Sequence, residues 1–359
     1  MENLVNFYKD KRILVTGHTG FKGSWLCEWL LLLGAKVYGF ALEPPTTPSL
    51  FEQLKLSRRI KKDNRGDIRD LEAVTRAVKE VEPDVIFHLA AQPLVRLSYK
   101  MPVITFDTNI MGTVNVLEAI RLFSDNYKTQ IKPSRVVCIT TDKVYENDNS
   151  GKAFVEDDPK GGNDPYSASK GACEIAIQSY RRSFFNEPSS MVWVGSARAG
   201  NVIGGGDWAL DRIVPDAMRA FLKNNVLTIR NTASTRPWQH VLEPLYGYLL
   251  LGAQAEFAKF STAYNFGPSV TTVKTVGELV NEIMCYFPNA KFRTNASTND
   301  FAEAKLLTLC SDKAFRMLGW KPHWGFKDTI RNVVEWYQAV EAGCDAIAIT
   351  DNQIEEFMK

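Results

Sequence analysis

The apolar run RILVT (12–16) opens directly onto GHTGFKG, where Gly17, Gly20 and Gly23 recur every third residue, and then onto the helical segment SWLCEWLLLLG. A strand, a glycine turn and a helix in that order constrain this chain more than any other stretch. Glycine lets the turn tighten and lets a diphosphate approach the backbone, whose N–H groups at a helix start attract negative charge. The spacing is G-x-x-G-x-x-G, not the G-x-G-x-x-G of the commonest dinucleotide fingerprint. Glycine turns between strand and helix also occur without a ligand, so the surroundings decide.

Those surroundings repeat the pattern. RILVT, KVYGFA (36–41), DVIFHLA (84–90), RVVCIT (135–140) and VWVGSARA (192–199) are β-branched or aromatic runs of strand length, and helical spacing fills 21–33, 70–80, 103–123 and 164–184. Alternation of this kind predicts an α/β fold: a doubly wound parallel sheet, a Rossmann-type domain, with helices on both faces. After residue 200 the rhythm changes to loops rich in Gly, Pro and Trp (NVIGGGDW, RPWQH, LGWKPHWGF) among helices near 211–223, 241–258, 274–286 and 326–341. We read residues 1–200 as a dinucleotide-binding domain and 201–359 as mainly a smaller α/β substrate domain with its loops turned toward a ligand. A segment near 240–270 returns to the first.

Composition removes other functions. The 43 Lys+Arg against 41 Asp+Glu leave +2, which argues against nucleic acid as a partner. The start MENLVNFYKDKR lacks a signal-peptide pattern, and the longest apolar stretch is broken by Glu28, Gly34 and Lys36, so neither secretion nor a membrane partner is expected. Six cysteines without a CxxC pair fit a cytoplasmic protein. Four scattered histidines give a metal site no support.

The second strand ends GFALEPP, with Glu43 slightly beyond the place where an acid holds an NAD ribose, and no Arg or Lys is there for a 2′-phosphate. NAD is therefore expected over NADP. In GDIRD (66–70), Asp67 can bond the adenine amino group and Ile68 cover its face, while Asp70 suits a helix cap. In DPYSASKGACE, Tyr166 and Lys170 stand four apart on one helix face. A phenol near ~10 is a poor base at neutral pH, and a nearby ammonium with a cationic nicotinamide would lower it. TTDKVYE (140–146) then puts Thr141, Asp142 and Lys143 at the end of a buried strand.

TGHTGFKG, HLAAQ, TTDKVY and YSASK in this order resemble the extended short-chain dehydrogenase/reductase family, and the likeness continues through NVIGGGDW, RPWQHVLEP and YNFGP. Within it, TGHTGFKGSWL, AAQPLVRLSY, TTDKVYEN and GGGDWALDRIVPD are most similar to the CDP-D-glucose 4,6-dehydratases. The resemblance implies NAD on Gly17, His18, Gly20, Phe21, Lys22, Gly23, Asp67, Ile68, Leu89, Ala90, Ala91 and Thr108. It implies Tyr166 and Lys170 as the catalytic pair, with Thr141 sharing the hydrogen bond to the sugar 4-hydroxyl. Asn201 and Arg236 match positions that bind the sugar and its diphosphate. Arg212 is a further phosphate candidate or a surface residue, and Glu303 matches a polar pocket position. Arg230 stands where thymidine-binding relatives place an aromatic, and there it can stack on cytosine and donate to its O2. The family also forms homodimers through two long helices per subunit, for which 103–123 and 164–184 have the length. Its CDP-glucose members serve deoxyhexose synthesis for lipopolysaccharide O-antigen.

Such dehydratases oxidise C4, eliminate water across C5 and C6, and return a hydride to C6. Most end this strand Thr-Asp-Glu, but here Lys143 replaces the Glu. Asp142 must carry a proton when the C6 hydroxyl leaves, which burial favours and a neighbouring ammonium opposes. Lys143 is favoured as the C5 base if held neutral; charged, it would steady the enolate instead. A nucleotide-sugar epimerase needs no charged pair after Thr141, so the pair argues for elimination; a dehydratase of a GDP or dTDP sugar is a further alternative, and a non-catalytic NAD-binding regulator would tend to lose Tyr166 or Lys170. His18 replaces a glycine of many relatives, and its ring either crowds the diphosphate or points to water.

Overall fold

The computed structural model describes residues 2–126, 134–147, 150–186, 190–254, 260–268, 273–295 and 307–359. Its centre is a parallel sheet of seven strands: β1 (Arg12–Thr16), β2 (Lys36–Ala41), β3 (Lys62–Arg65), β4 (Val85–His88), β5 (Ser134–Ile139), β6 (Val192–Ala199) and β7 (Ala263–Phe266). They lie in the order β7-β6-β5-β4-β1-β2-β3. The chain starts mid-sheet and winds outward both ways, so β1 and β4 neighbour each other with their following segments diverging. In an open α/β sheet that divergence is the crevice where ligands bind, at the carboxyl ends of the strands. The register aligns those ends: Thr16 faces Phe40 and His88, His88 faces Cys138, and Ile139 faces Ala197.

Continuous apolar runs make the inner strands, since helices cover both faces and leave no side to solvent. β3 is the exception. It reads KDNR, abutting the basic stretch SRRIKK, and carries no strand pattern because it is a short, half-exposed edge. The helical span 103–123 is broken into Pro102–Phe106, a π-helical turn at Asp107–Met111 and Gly112–Asn126. The wider turn carries Asn109 inward, where its amide binds the Gln92 backbone and Ser169. A last helix, Ala346–Met358, lies beyond the pattern read from sequence and packs its Phe357 against Trp29 of the cradle helix Phe21–Leu32.

The loops after residue 200 turn inward more than expected. Trp320 is fully buried and donates to the Glu243 carbonyl, whose own carboxylate accepts the backbone N–H groups of His323 and Trp324. LGWKPHWGF is thus a packing device. In GGGDW, a side chain on Gly205 would come within 2.0 Å of Trp336, and Gly206 has φ +78° against Leu50. Among the described residues no helix is long and apolar enough to cross a membrane, and no group of three His, Cys, Asp or Glu side chains could hold a metal.

Candidate active site

Gly17 adopts φ +76°, and a Cβ there would fall 2.6 Å from the Ala90 nitrogen; one on Gly23 would fall 2.1 Å from the Gly17 carbonyl oxygen. These two glycines are therefore fixed by backbone packing against the end of β4 and the start of the cradle helix. Gly20 differs: its nearest neighbour would be 3.4 Å away, and as N-cap it offers no side-chain cap to the helix N–H groups. The cradle is closed on the protein side and open at Gly20, Phe21 and Lys22, which fits a dinucleotide diphosphate. Leu89, Ala90 and Ala91 follow β4 directly, and the Ala90 N–H donates to Thr16 Oγ1 at 3.3 Å. Thr108 sits in the π-helical turn. His88 bonds Thr16 and Thr113, and burial, then the Lys170 charge, lower its pKa to about 3, leaving a neutral ring that braces the strand ends.

His18 takes neither predicted direction. Its ring fills the space left by the missing side chain of Gly39, where a Cβ would lie 2.4 Å away, and Nε2 meets Asp63 Oδ1 at 2.7 Å. It ties the cradle to β2 and β3. Asp63 also holds Arg65, which bonds the Leu42 carbonyl and approaches Glu43 at 3.6 Å. A basic residue does stand at the end of β2, contrary to expectation, because the parallel register sets Arg65 beside Ala41; its charge is answered by Asp63 and Glu43. Asp67 is held by Arg69, Ile68 packs over Gly112, and Asp70 caps the following helix through the Ala73 N–H.

The candidate catalytic residues gather at the ends of β5 and β6. Thr141 is the N-cap of a short 3-10 turn, Asp142–Val144; its hydroxyl donates to Asp142 Oδ1 at 2.9 Å and also acts to lower the pKa of the Tyr166 phenol. Asp142 is 1% exposed, Lys143 Nζ reaches its Oδ1 at 3.4 Å, and its Oδ2 finds no partner among the described residues. Tyr166 and Lys170 share one face of the helix Pro165–Phe184, whose N-cap is Asp164 and whose first residue is Pro165. Lys170 Nζ contacts the Ile139 carbonyl at 3.4 Å, and burial lowers its pKa. Burial pushes the Tyr166 phenol up to about 12 against the Thr141 hydrogen bond, with Asp142 raising it and Arg212 lowering it. The protein alone therefore keeps Tyr166 protonated, and the drop expected from sequence requires a cation in addition.

On the other wall, Asn201 Oδ1 is buried without a partner among the described residues, and its carbonyl accepts the Gln239 N–H. Arg212 is no bystander: Asp207 of GGGDW holds it at 2.8 Å, and its charge acts on Tyr166. Arg230 pairs with Asp211 at 3.1 Å, and Arg236 donates to the Thr235 carbonyl in a ribbon with Lys274–Thr275. Glu303 lies outside the described residues. Sequence reasoning missed three neighbours of these residues. Ser98 and Arg96 lie in the quoted stretch AAQPLVRLSY: the Tyr166 N–H donates to Ser98 Oγ at 3.2 Å, and Arg96 approaches Asp211 at 3.8 Å. Tyr248, reached by Lys22, had no local signal at all.

A family model for GDP-mannose 4,6 dehydratase matches residues 14–333. The chain is 45% identical to a CDP-glucose 4,6-dehydratase of Salmonella typhimurium over 98% of each chain. An epimerase structure from Methanothermobacter thermautotrophicus superposes with TM-score 0.79 at 24% identity, over 95% of this chain and 96% of that one. A UDP-glucose 4-epimerase of Thermus thermophilus in complex with NAD gives TM-score 0.74 at 26% identity, over 91% and 99%.

Proposed function

The chain belongs to the GDP-mannose 4,6-dehydratase family of extended short-chain dehydrogenase/reductases, and from that premise we propose that it converts CDP-D-glucose to CDP-4-dehydro-6-deoxy-D-glucose and water. The observation that carries the reading is the Asp142–Lys143 pair, one carboxylate oxygen of which is buried without a partner among the described residues, next to Thr141 and the Tyr166 phenol on whose pKa Asp142 acts. Moving a sugar's C4 hydrogen needs the tyrosine and lysine alone; removing its C6 hydroxyl needs an acid and a base besides.

NAD, which Gly17, Gly20 and Gly23 of the cradle would hold, would supply the hydride acceptor for C4 and the hydride donor for C6. Tyr166 accepts the proton of the 4-hydroxyl, with Thr141 fixing its orientation and Lys170 supplying positive charge nearby. Asp142 gives a proton to the departing C6 hydroxyl, and Lys143 accepts the proton from C5 and returns one to C5 when the C6 carbon is reduced. The acid-base tension of this pair resolves if the two groups hold one proton between them. Transfer from ammonium to carboxylate yields a neutral acid and a neutral base without changing the charge of the site. Asn201, Arg212, Arg230 and Arg236 serve the sugar, diphosphate and base, and Arg230 in place of an aromatic favours cytosine.

Incubation with NAD and each of CDP-, dTDP-, GDP- and UDP-glucose, followed by product mass, tests this reading. Loss of one water from the CDP sugar alone is expected; an isomer of unchanged mass would make the protein an epimerase. We propose further that residues 1–200 chiefly bind NAD and 201–359 the nucleotide sugar, a division that limited proteolysis with each ligand would test. A homodimer is supported by Val103, Met111, Ile175 and Phe184, apolar side chains exposed on the helices around 103–123 and 164–184. A monomeric mass in sedimentation would refute it. Cytoplasmic supply of a deoxyhexose precursor for lipopolysaccharide O-antigen completes the proposal, with fractionation and sugar analysis of a deletion strain as its test.

A further inference from the structure

We propose that a polar cavity of ≈ 270 Å³ outside the catalytic cleft, walled by the helix Pro165–Phe184, Arg198 of β6, the segment 156–160 and residues 262–263, is a second binding site that takes a phosphate group. None of the residues assigned above to the dinucleotide, the sugar or the chemistry lines it. The inference therefore does not rest on the function proposed for the cleft.

Three half-buried cations converge on this cavity without a carboxylate partner among the described residues. Arg181 uses only its Nε, which donates to the Val194 carbonyl at 3.0 Å. Lys160 Nζ donates to the backbone carbonyls of Glu156 and Asp158. Lys313, from the helix Asp312–Leu318, reaches over the rim to the Thr262 hydroxyl at 3.1 Å. Burial lowers the pKa of all three, and the charge of Arg198 lowers each further while nearby carboxylates oppose it. Crowded, partly desolvated cations are a cost that a bound anion removes.

Arg198 adds a second, independent observation. Its Nη1 donates to the Tyr145 hydroxyl and the Glu156 carbonyl and its Nη2 to Glu174, yet its Nε is buried with no acceptor among the described residues. The Tyr264 hydroxyl, on β7 beside Glu156 and Arg181, is likewise buried and unpartnered. Nearly every buried donor in a folded protein finds an acceptor, so two orphans next to three unpaired cations call for an acceptor-rich group that the chain does not supply. A phosphate, with several oxygens and up to two negative charges, answers both needs.

The carboxylates around the cavity do not fill that role. Glu174 is taken by Arg198, Thr140 and Ser196, and Asp158 by Lys152 and the Val155 N–H. Glu156 accepts the Asn265 N–H through one oxygen, and Asp157 is exposed. These last two keep oxygens that can accept hydroxyl groups, so a phosphate ester of a polyol matches more of the wall than free phosphate does.

The test is calorimetric titration of the full-length protein with inorganic phosphate and with glucose 1-phosphate at fixed ionic strength, each with and without saturating NAD and CDP. One site per chain that persists in the presence of NAD and CDP is expected. Arg181→Met and Lys313→Met are each expected to weaken it about 10–100-fold, the scale of one hydrogen bond to a charged group, whereas Arg181→Lys keeps the charge and most of the affinity. Thermal melting checks that the variants fold, and the rise in melting temperature that phosphate gives the unaltered protein should be absent from both Met variants. Tighter binding of the ester would identify the occupant as a phosphomonoester, and the reverse as free phosphate. Loss of the site on adding NAD and CDP would place the phosphate in the cleft and overturn the proposal, as would undiminished affinity in both Met variants or the absence of binding.

Discussion

Asp142→Asn is expected to cut dehydration by about 10²–10⁴-fold while C4 oxidation continues, so that reduced cofactor accumulates with a sugar that still carries its C6 hydroxyl. The substitution is nearly isosteric, which matters because a Cβ on Gly200 would lie only 3.0 Å from Asp142 Oδ2 and leaves no room for a larger group. An amide can still accept from Thr141 through its oxygen, but it cannot give a proton to a leaving hydroxyl. Near-ultraviolet absorbance of the reduced dinucleotide and the mass of the released sugar separate the two half-reactions. Dehydrated product at an undiminished rate would remove Asp142 from the role of acid. Lys143→Met is the companion experiment: it is expected to block exchange of the C5 proton with solvent deuterium, and undiminished exchange would return Lys143 to steadying charge.

The second large effect is on stability. Arg198 and Glu174 form a pair at 2.7 Å with side chains 3% and 4% exposed, and Glu174 also accepts from Thr140 and Ser196. Burial alone would push the Glu174 carboxyl up; the charge and hydrogen bond of Arg198, with those two hydroxyls, overcome it and hold the pKa down to about 2. A depressed carboxyl contributes stability above its unfolded value, about 4.3, and that contribution is lost as pH falls toward 2. Arg198→Met leaves the carboxylate buried and unpaired, at an expected cost of about 3–5 kcal/mol at neutral pH. In the variant, Glu174 should titrate upward, so its deficit in urea unfolding should shrink on mild acidification. A deficit independent of pH would point to lost packing alone.

The cradle and the Tyr166–Lys170 pair were legible because each depends on spacing within a few residues of chain. Thr141, Asp142 and Lys143 could be placed at a strand end for the same reason. The direction of His18 could not, since it is set by a missing side chain on β2 and a carboxylate on β3. Arg65 was invisible at the end of β2 because only parallel pairing brings it there, from a polar edge strand without alternation. Lys22 was read as a cradle residue, yet its side chain is placed by Tyr248, 226 residues away. The glycines of GGGDW suggested a ligand loop and proved to be clearance for Trp336 and Leu50.

The hydroxyl of Thr141 donates to Asp142 and acts on the pKa of the Tyr166 phenol. In each round of the mechanism proposed above Tyr166 gains a proton and Asp142 loses one, so the protein would end with a surplus at one group and a deficit at the other. Thr141 can hand its own proton to the carboxylate and take the phenol's in return, closing a circuit that never opens to water. Steady turnover is then indifferent to buffer concentration. Thr141→Val, with the circuit cut, would have to refill Asp142 from solvent and would quicken as buffer is added, whereas Thr141→Ser would not.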